Sequence, residues 1–335
     1  MRMPVLPSLF VTLRSVACAL ALLLPAGTVM AQAAGAYPNH AIRLIVPFPS
    51  GGGADLTART VAQKMSESMG QPIVVDNRPG ANGVVGTDLV AKAAPDGYTL
   101  LLVDRGALGI NPSLYAKLQY DPLRDFAFIG IATEGPYVLV VNPAVPAKTL
   151  AELVALAKAK PGSLNYASFG IGSMAQLNLE ALNRRFGIDL AHVPYKGAGP
   201  AVAAVVAGEV GVTVASVPGV LGFIRDGRVR ALAVGADRRL SLLPDVPTTA
   251  EAGGGADLLI PTFFALAAPA GTPAPIVAKL NAELKRAVTA PDVAERFVAA
   301  GLVPTGGTPE AMAATVREDV ARFGALVKSI GIKPE

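Results

Sequence analysis

The sequence predicts an α/β protein built as two lobes with a cleft between them. Three observations carry this expectation. Short β-branched runs alternate with helical patterns from residue 42 onward, a second such series begins at Tyr137, and the chain ends in a helical tail from residue 276.

Taken in order, the first segment is an export signal. Residues 1–31 hold Arg2 and Arg14, no Asp or Glu, an uncharged apolar run over 16–24, and breaks at Pro25 and Gly27. Ala31-Gln32-Ala33 then offers an A-x-A cleavage pattern, so residues 1–33 are expected to be a removable signal peptide. The apolar run is about half of the roughly 20 residues needed to cross a bilayer, so the protein is not expected to be membrane-embedded. Cys18, the single cysteine, lies inside this segment. The mature chain therefore has no disulfide and no Cys-based metal or redox chemistry to offer.

Strand, helix and strand follow at 42–46, 57–69 and 73–75. Val61, Met65 and Met69 share one face of that helix, and Gly70 stands where it should stop. A helix at 83–93 and a strand at 98–103 extend the pattern into βαβ units with a parallel sheet. The second series opens with a strand at 138–141. Thr149-Leu150-Ala151-Glu152 is a capping box for the helix that Pro161-Gly162 ends. Further strands are expected at 164–167, 192–194, 210–215 and 229–234, with helices at 173–186, 198–207 and 217–226 between them.

The tail reads as helices at 276–288 and 308–330. The second is capped by Thr308, has Pro309 in its first turn, and lines up Met312, Val316, Val320, Phe323 and Val327. Helices without a sheet must pack on something already built. The inferred course crosses into the second lobe near 137 and returns near 245. Lobe one is then 34–136 plus 245–335, and lobe two is 137–244. Two domains in simple series would give the same periodicity.

Charge excludes one class of partner. There are 29 basic and 25 acidic residues, and 27 against 25 once Arg2 and Arg14 are removed. The basic residues are scattered, the chain has no Trp, and no aromatic-interleaved basic patch occurs, so nucleic acid is not an expected ligand.

Three polar loops stand between a strand and a helix. In Val46-Pro47-Phe48-Pro49-Ser50-Gly51-Gly52-Gly53-Ala54-Asp55 the glycines let the backbone approach a ligand, and the helix start suits an anion. The loop lacks the Lys-Ser/Thr ending of a phosphate-binding loop and does not match G-x-G-x-x-G. A glycine turn with Asp55 as a helix cap explains the same residues. Tyr166-Ala167-Ser168-Phe169-Gly170-Ile171-Gly172-Ser173 repeats the arrangement, with Ser173 also readable as a cap, and Tyr195-Lys196-Gly197-Ala198-Gly199-Pro200 is the third. All three sit at carboxyl ends of strands, where open α/β sheets bind ligands.

Catalysis has little to stand on. The two histidines, His40 and His192, lack a visible nucleophile and orienting partner, and no G-x-S-x-G, H-E-x-x-H or metal-ligand cluster occurs. No cofactor and no enzymatic activity are expected.

Nine motifs occur in order: VPFPSGGGAD (46–55), VDNRPGANG (75–83), APDGYTLLL (94–102), INPSLY (110–115), LNYAS (164–168), HVPYKGAGPA (192–201), RALAV (230–234), LPDVPTTAEAG (243–253) and APAGTP (268–273). Together they resemble the tripartite tricarboxylate transporter solute-binding proteins, the Bug or TctC family, over essentially the whole mature chain. The resemblance implies a type II periplasmic-binding-protein fold, the Venus flytrap, in a monomeric periplasmic receptor. It also implies a small organic carboxylate ligand (a di- or tricarboxylate or an aromatic acid) and large and small membrane transporter subunits as partners. A sensor presenting its ligand to a signalling protein is the alternative. By motif the resemblance implicates Phe48, Ser50, Gly51, Gly52, Gly53 and Asp55, with Ser168, Gly170, Gly172 and Ser173 opposite. Gly197 and Ser216 join them from the later loops.

Departures from the family concern specificity. Where small polar residues are usual, this chain has Asp104-Arg105-Gly106. Arg105 is expected either to pair with Asp104 or to face the cleft and clamp a second carboxylate in bidentate fashion. Ala215, Ser216 and Val217 replace an acidic or amide pair, and Gly211 replaces a common Asp; a cleft poorer in acceptors argues against amino-acid ligands and towards plain or aromatic acids.

Overall fold

The computed structural model describes residues 37–333; the expected signal peptide at 1–33 lies outside them. The β-branched run Ile42–Val46 forms β1, with β2 (Ile73–Asn77) and β3 (Thr99–Asp104) parallel on either side. The crossovers are α1 (Gly53–Met69) and α2 (Val84–Ala91). α1 starts a turn earlier than its apolar stripe suggested, with extended Gly52 as N-cap, so Asp55 lies in its first turn rather than capping it. Gly70 ends it at φ 68°, a left-handed conformation open to glycine. After β3 comes a π-helical turn (Gly106–Ile110) and the short α3 (Asn111–Leu114).

Two strands complete this sheet that periodicity did not announce. β4 (Phe126–Gly135) and β10 (Thr262–Pro269) run antiparallel, and β10 lies between β3 and β4. With β11 (Val303–Pro304) the order is β11-β4-β10-β3-β1-β2. The tail builds no sheet of its own, but the chain that leads into it and the tail itself add strands to the first sheet. The returning chain contributes a central strand as well as α8 (Ala274–Thr289), α9 (Pro291–Ala299) and α10 (Pro309–Ser329). Thr308 caps α10 as expected, accepting the Ala311 N–H at 3.2 Å.

The second sheet is contiguous in sequence. β5 (Tyr137–Val141), β6 (Asn165–Ser168), β7 (Ala191–Pro194), β8 (Val212–Ser216) and β9 (Arg230–Val234) lie in the order β7-β6-β8-β5-β9. β6 is parallel to both β7 and β8, while β5 is antiparallel to β8 and β9. Helices α4 (Leu150–Ala159), α5 (Met174–Phe186), α6 (Ala198–Ala207) and α7 (Val217–Arg225) connect them. At the start of α4 Thr149 Oγ1 accepts the Glu152 N–H at 3.1 Å, and Glu152 accepts the N–H of Lys148, the residue before the cap, at 2.6 Å.

The chain passes between sheets at Pro136 and again after β9. The two passages are tied by the Gly235 N–H donating to the Tyr137 carbonyl at 2.8 Å. An apolar cluster joins the lobes: Ile110 and Leu114 meet Leu177, Leu258, Phe323 and Val327. α10 therefore spans two cores, because its Met312 and Val316 belong to the cluster under the first sheet.

Candidate functional site

β1 and β3 are parallel neighbours, so the loop after β1 and Asp104 at the end of β3 share one edge of the first sheet. Asp55 fastens that loop. Its carboxylate accepts from the Gly51 N–H at 3.0 Å, from Arg59 Nε at 3.0 Å and from Asn77 Nδ2 at 3.1 Å. Burial alone would raise the Asp55 pKa, but the hydrogen bonds from Arg59, Gly51 and Asn77 outweigh it and hold the carboxyl below its ordinary value. Asn77 also donates to the Phe48 carbonyl at 3.0 Å, closing the loop from its other side. With Gly51 committed to Asp55, the N–H groups of Gly52 and Gly53 are left without a protein acceptor among the described residues. They begin a 17-residue helix, where unpaired donors and the helix dipole both favour an anion.

These glycines open on a cavity of about 420 Å³ between the sheets. The first lobe contributes Gly51, Gly52, Gly53, Asp104, Gly135, Thr262, Phe264 and Leu302, and the second Tyr137, Phe169, Ala198, Ser216, Pro218 and Gly219. Phe264 packs so closely on the loop that a Cβ at Gly53 would lie 3.1 Å from its ring. Asp104 is half-buried; burial pushes its carboxyl up to about 6 despite the N–H groups of Ala107 and Gly106 beside it.

A wider crevice of about 520 Å³ runs between Arg238–Pro244 and the residues around Leu302. The inter-sheet cavity is the better candidate, because it lies at strand carboxyl ends and holds unpartnered donors.

Comparison with known proteins gives the chain its place. Residues 57–332 match the model of the tripartite tricarboxylate transporter family receptor. The chain belongs to this family. BugT of Bordetella pertussis (strain Tohama I / ATCC BAA-589 / NCTC 13251) is 39% identical over 309 residues, covering 92% of this chain and 94% of BugT. The Rhodopseudomonas palustris protein Rpa4515, solved with adipate, superposes with a TM-score of 0.79 at 33% identity, covering 89% of this chain and 100% of that one. MatC from the same organism, solved with bound malate, gives 0.74 at 36% identity, covering 87% and 100%. The architecture is the two-lobed solute-binding fold of these family receptors.

Within this receptor the residues implicated by sequence divide into two groups. Gly51, Gly52, Gly53 and Ser216 line the cavity. Asp55 lies behind the loop, Ser50 is exposed, and the Phe48 ring packs against Gly83. The polar atoms of the loop before α5 are spent internally. Ser168 Oγ lies 2.6 Å from His192 Nε2, Gly170 N–H donates to Ser168 Oγ, and Gly172 N–H donates to Gln176 Oε1 at 2.7 Å. Ser173 is the cap of α5, accepting the Gln176 N–H at 3.4 Å. Gly197 donates its N–H to the Phe169 carbonyl at 3.1 Å, and it is Phe169 that reaches the cavity.

Arg105 requires a correction to both expectations. It pairs neither with Asp104 nor with a group in the cleft; its guanidinium donates to Asp319 of α10 at 2.8 Å and stacks on the Phe263 ring at 4.8 Å. At 7% exposure it belongs to the core. The side chain at the cavity is the one before it, Asp104, because neighbouring residues at a strand end turn to opposite sides.

The Ser168–His192 pair has the residue types of a nucleophile and its base, but Ser168 is fully buried. His192 stacks on Tyr166 at 4.9 Å and turns its other ring nitrogen towards Gln176 at 3.3 Å, and burial lowers its pKa. These contacts serve the loop's shape.

Proposed function

We propose that the chain is exported by its 1–33 segment and works in the periplasm, holding a small organic carboxylate between its lobes for the membrane subunits of a tripartite tricarboxylate transporter. One observation supports this reading above all: Gly52 and Gly53, at a helix start and with no protein acceptor for their N–H groups among the described residues, line the inter-lobe cavity. Each charge-assisted hydrogen bond from such donors contributes roughly 1.5–3 kcal/mol. Two or three of them, with apolar burial against Phe169 and Phe264, offset association costs and leave room for micromolar affinity, about 8 kcal/mol. Ser216, at the start of α7 with no side-chain cap bond of its own, adds a neutral hydroxyl from the other lobe. The adipate and malate held by two relatives support the same ligand class.

The test is a thermal-shift panel on residues 34–335, freed of bound solute by unfolding and refolding, against mono-, di- and tricarboxylates, aromatic acids and amino acids. A rise in melting temperature with a carboxylate is the expected result, since a ligand of the folded state stabilises it by mass action. No shift with any acid overturns the carboxylate reading. Deletion of the gene then separates transport, which lowers uptake of that acid, from sensing, which alters gene expression and leaves uptake intact.

A further inference from the structure

The cavity carries charge of one sign only. Among the described residues lining it none is Lys, Arg or His, and Asp104 is the one carboxylic acid. Its place there is built rather than incidental. Asp104 ends β3 directly beside the glycine loop and pairs across the sheet with Phe264, whose ring covers Gly53. One carboxylate oxygen accepts the Ala107 N–H at 2.8 Å, and Asp104 makes no salt bridge among the described residues. The cation next to it in sequence, Arg105, is turned away and spent on Asp319. A carboxylate facing a cavity without a counter-cation repels a second anion, and it strengthens a hydrogen bond from any donor placed against it.

We propose that Asp104 sets the ligand class of this cleft: the bound acid carries a hydrogen-bond donor, a hydroxyl, amide or ammonium, at the end opposite its carboxylate, and an ionised second carboxylate is rejected there. The proposal rests on the reading of the cleft as a carboxylate site. It sets this chain apart from the relatives solved with adipate and malate, and it runs against the expectation, drawn from Gly211, Ala215, Ser216 and Val217, that amino-acid ligands are disfavoured.

Calorimetric titration of residues 34–335 with two matched series tests it. The first is butanoate, 4-hydroxybutanoate, 4-aminobutanoate, succinamate and succinate; the second is hexanoate, 6-hydroxyhexanoate, 6-aminohexanoate, adipamate and adipate. Titration at pH 8 keeps Asp104 ionised, above the value of about 6 to which burial lifts it. In at least one series the donor-bearing monocarboxylate should bind tenfold or more tightly than the dicarboxylate of the same length. Asp104→Asn should shrink that ratio at least fivefold, and Asp104→Ser takes its place if the amide variant fails to fold. Which of the hydroxyl, amide and ammonium ligands leads identifies the donor. A dicarboxylate that binds tightest to the native chain, or a ratio untouched by the substitution, overturns the proposal while leaving the carboxylate receptor standing. If no acid of either series binds the native protein or the variants, this proposal falls, whereas the receptor reading falls only if the wider panel of tricarboxylates and aromatic acids is silent as well.

Discussion

The ion pair between Arg105 and Asp319 joins the end of β3 to the middle of α10, and removing one partner should be costly. Both residues are nearly inaccessible, at 7% and 3% exposure, and Asp319 Oδ2 and Arg105 Nε have no hydrogen-bond partner of their own. Burial pushes the Asp319 carboxyl up and Arg105 down, even though each attracts the other. Desolvation therefore rivals the mutual attraction. Asp319→Ala leaves a guanidinium buried without its partner, a change that costs about 3–5 kcal/mol. Glu134, the other carboxylate whose charge reaches Arg105, brings the expected loss to the lower end, about 3 kcal/mol. At roughly 2 °C per kcal/mol for a chain of this size, the melting temperature should fall by about 6 °C. The double change Arg105→Met with Asp319→Leu removes both charges and should return stability to within about 1 kcal/mol of the native chain. Urea denaturation of the native, single and double variants reads all of these. A loss below about 1 kcal/mol for Asp319→Ala, or a double variant no more stable than the singles, would refute the argument from desolvation.

Asp104 has a folded-state pKa raised from 3.8 to about 6, so the native chain should lose stability as pH rises between those values and stay level above. Against Asp104→Asn the difference should be negligible below pH 4 and reach up to about 3 kcal/mol above pH 6, the variant being the more stable, as read by denaturation at each pH. Asp55 works in the opposite sense: its pKa is lowered, so its contribution is present at neutral pH and is lost as pH falls below the unfolded value. Asp55→Ala should cost about 1–2 kcal/mol at pH 7 and speed amide exchange at Gly51, with a smaller cost near pH 3. Gly172→Ala places a Cβ 2.3 Å from Leu114 of the other lobe at a φ of +74°. It should destabilise the chain by roughly 2–4 kcal/mol in thermal melts, with partial rescue by Leu114→Ala, which clears the space but not the backbone strain.

The parts of the fold that were legible are those whose signal is local. Strands 42–46 and 73–75, the stop at Gly70 and the caps Thr149, Ser173 and Thr308 all rest on residues within one turn of each other, and the structure has them in place. β4 and β10 were not legible. FAFIGIATEG and TFFALAAP are covered on both faces by the rest of the first lobe, so they lack alternation, and Ala and Gly dilute their β-propensity. The candidate site divides along the same line. The glycine loop announces itself by composition, whereas Thr262 and Phe264 reach the cavity only through pairing between distant strands. Asp104 and Arg105 are not told apart by sequence, because charge type can be read there, but the direction of a side chain at a strand end cannot be read without the register.

The position of β10 has a consequence for the order in which the molecule can assemble. It separates β3 from β4, so the six-stranded sheet exists only as two unconnected pieces until residues 262–269 arrive. The five-stranded sheet pairs its strands within residues 137–234 alone, although part of the core beneath it comes from Leu258–Ile260, Phe323 and Val327. A chain emerging from its N-terminus should therefore complete the strand pairing of its second sheet first. The earliest-made strands would meanwhile stand with an open edge, a slow closure set by sequence separation rather than by local propensity. Pulsed hydrogen exchange during refolding should find β5, β8 and β9 protected before β1 and β3, so that the part of the receptor made first is the part finished last.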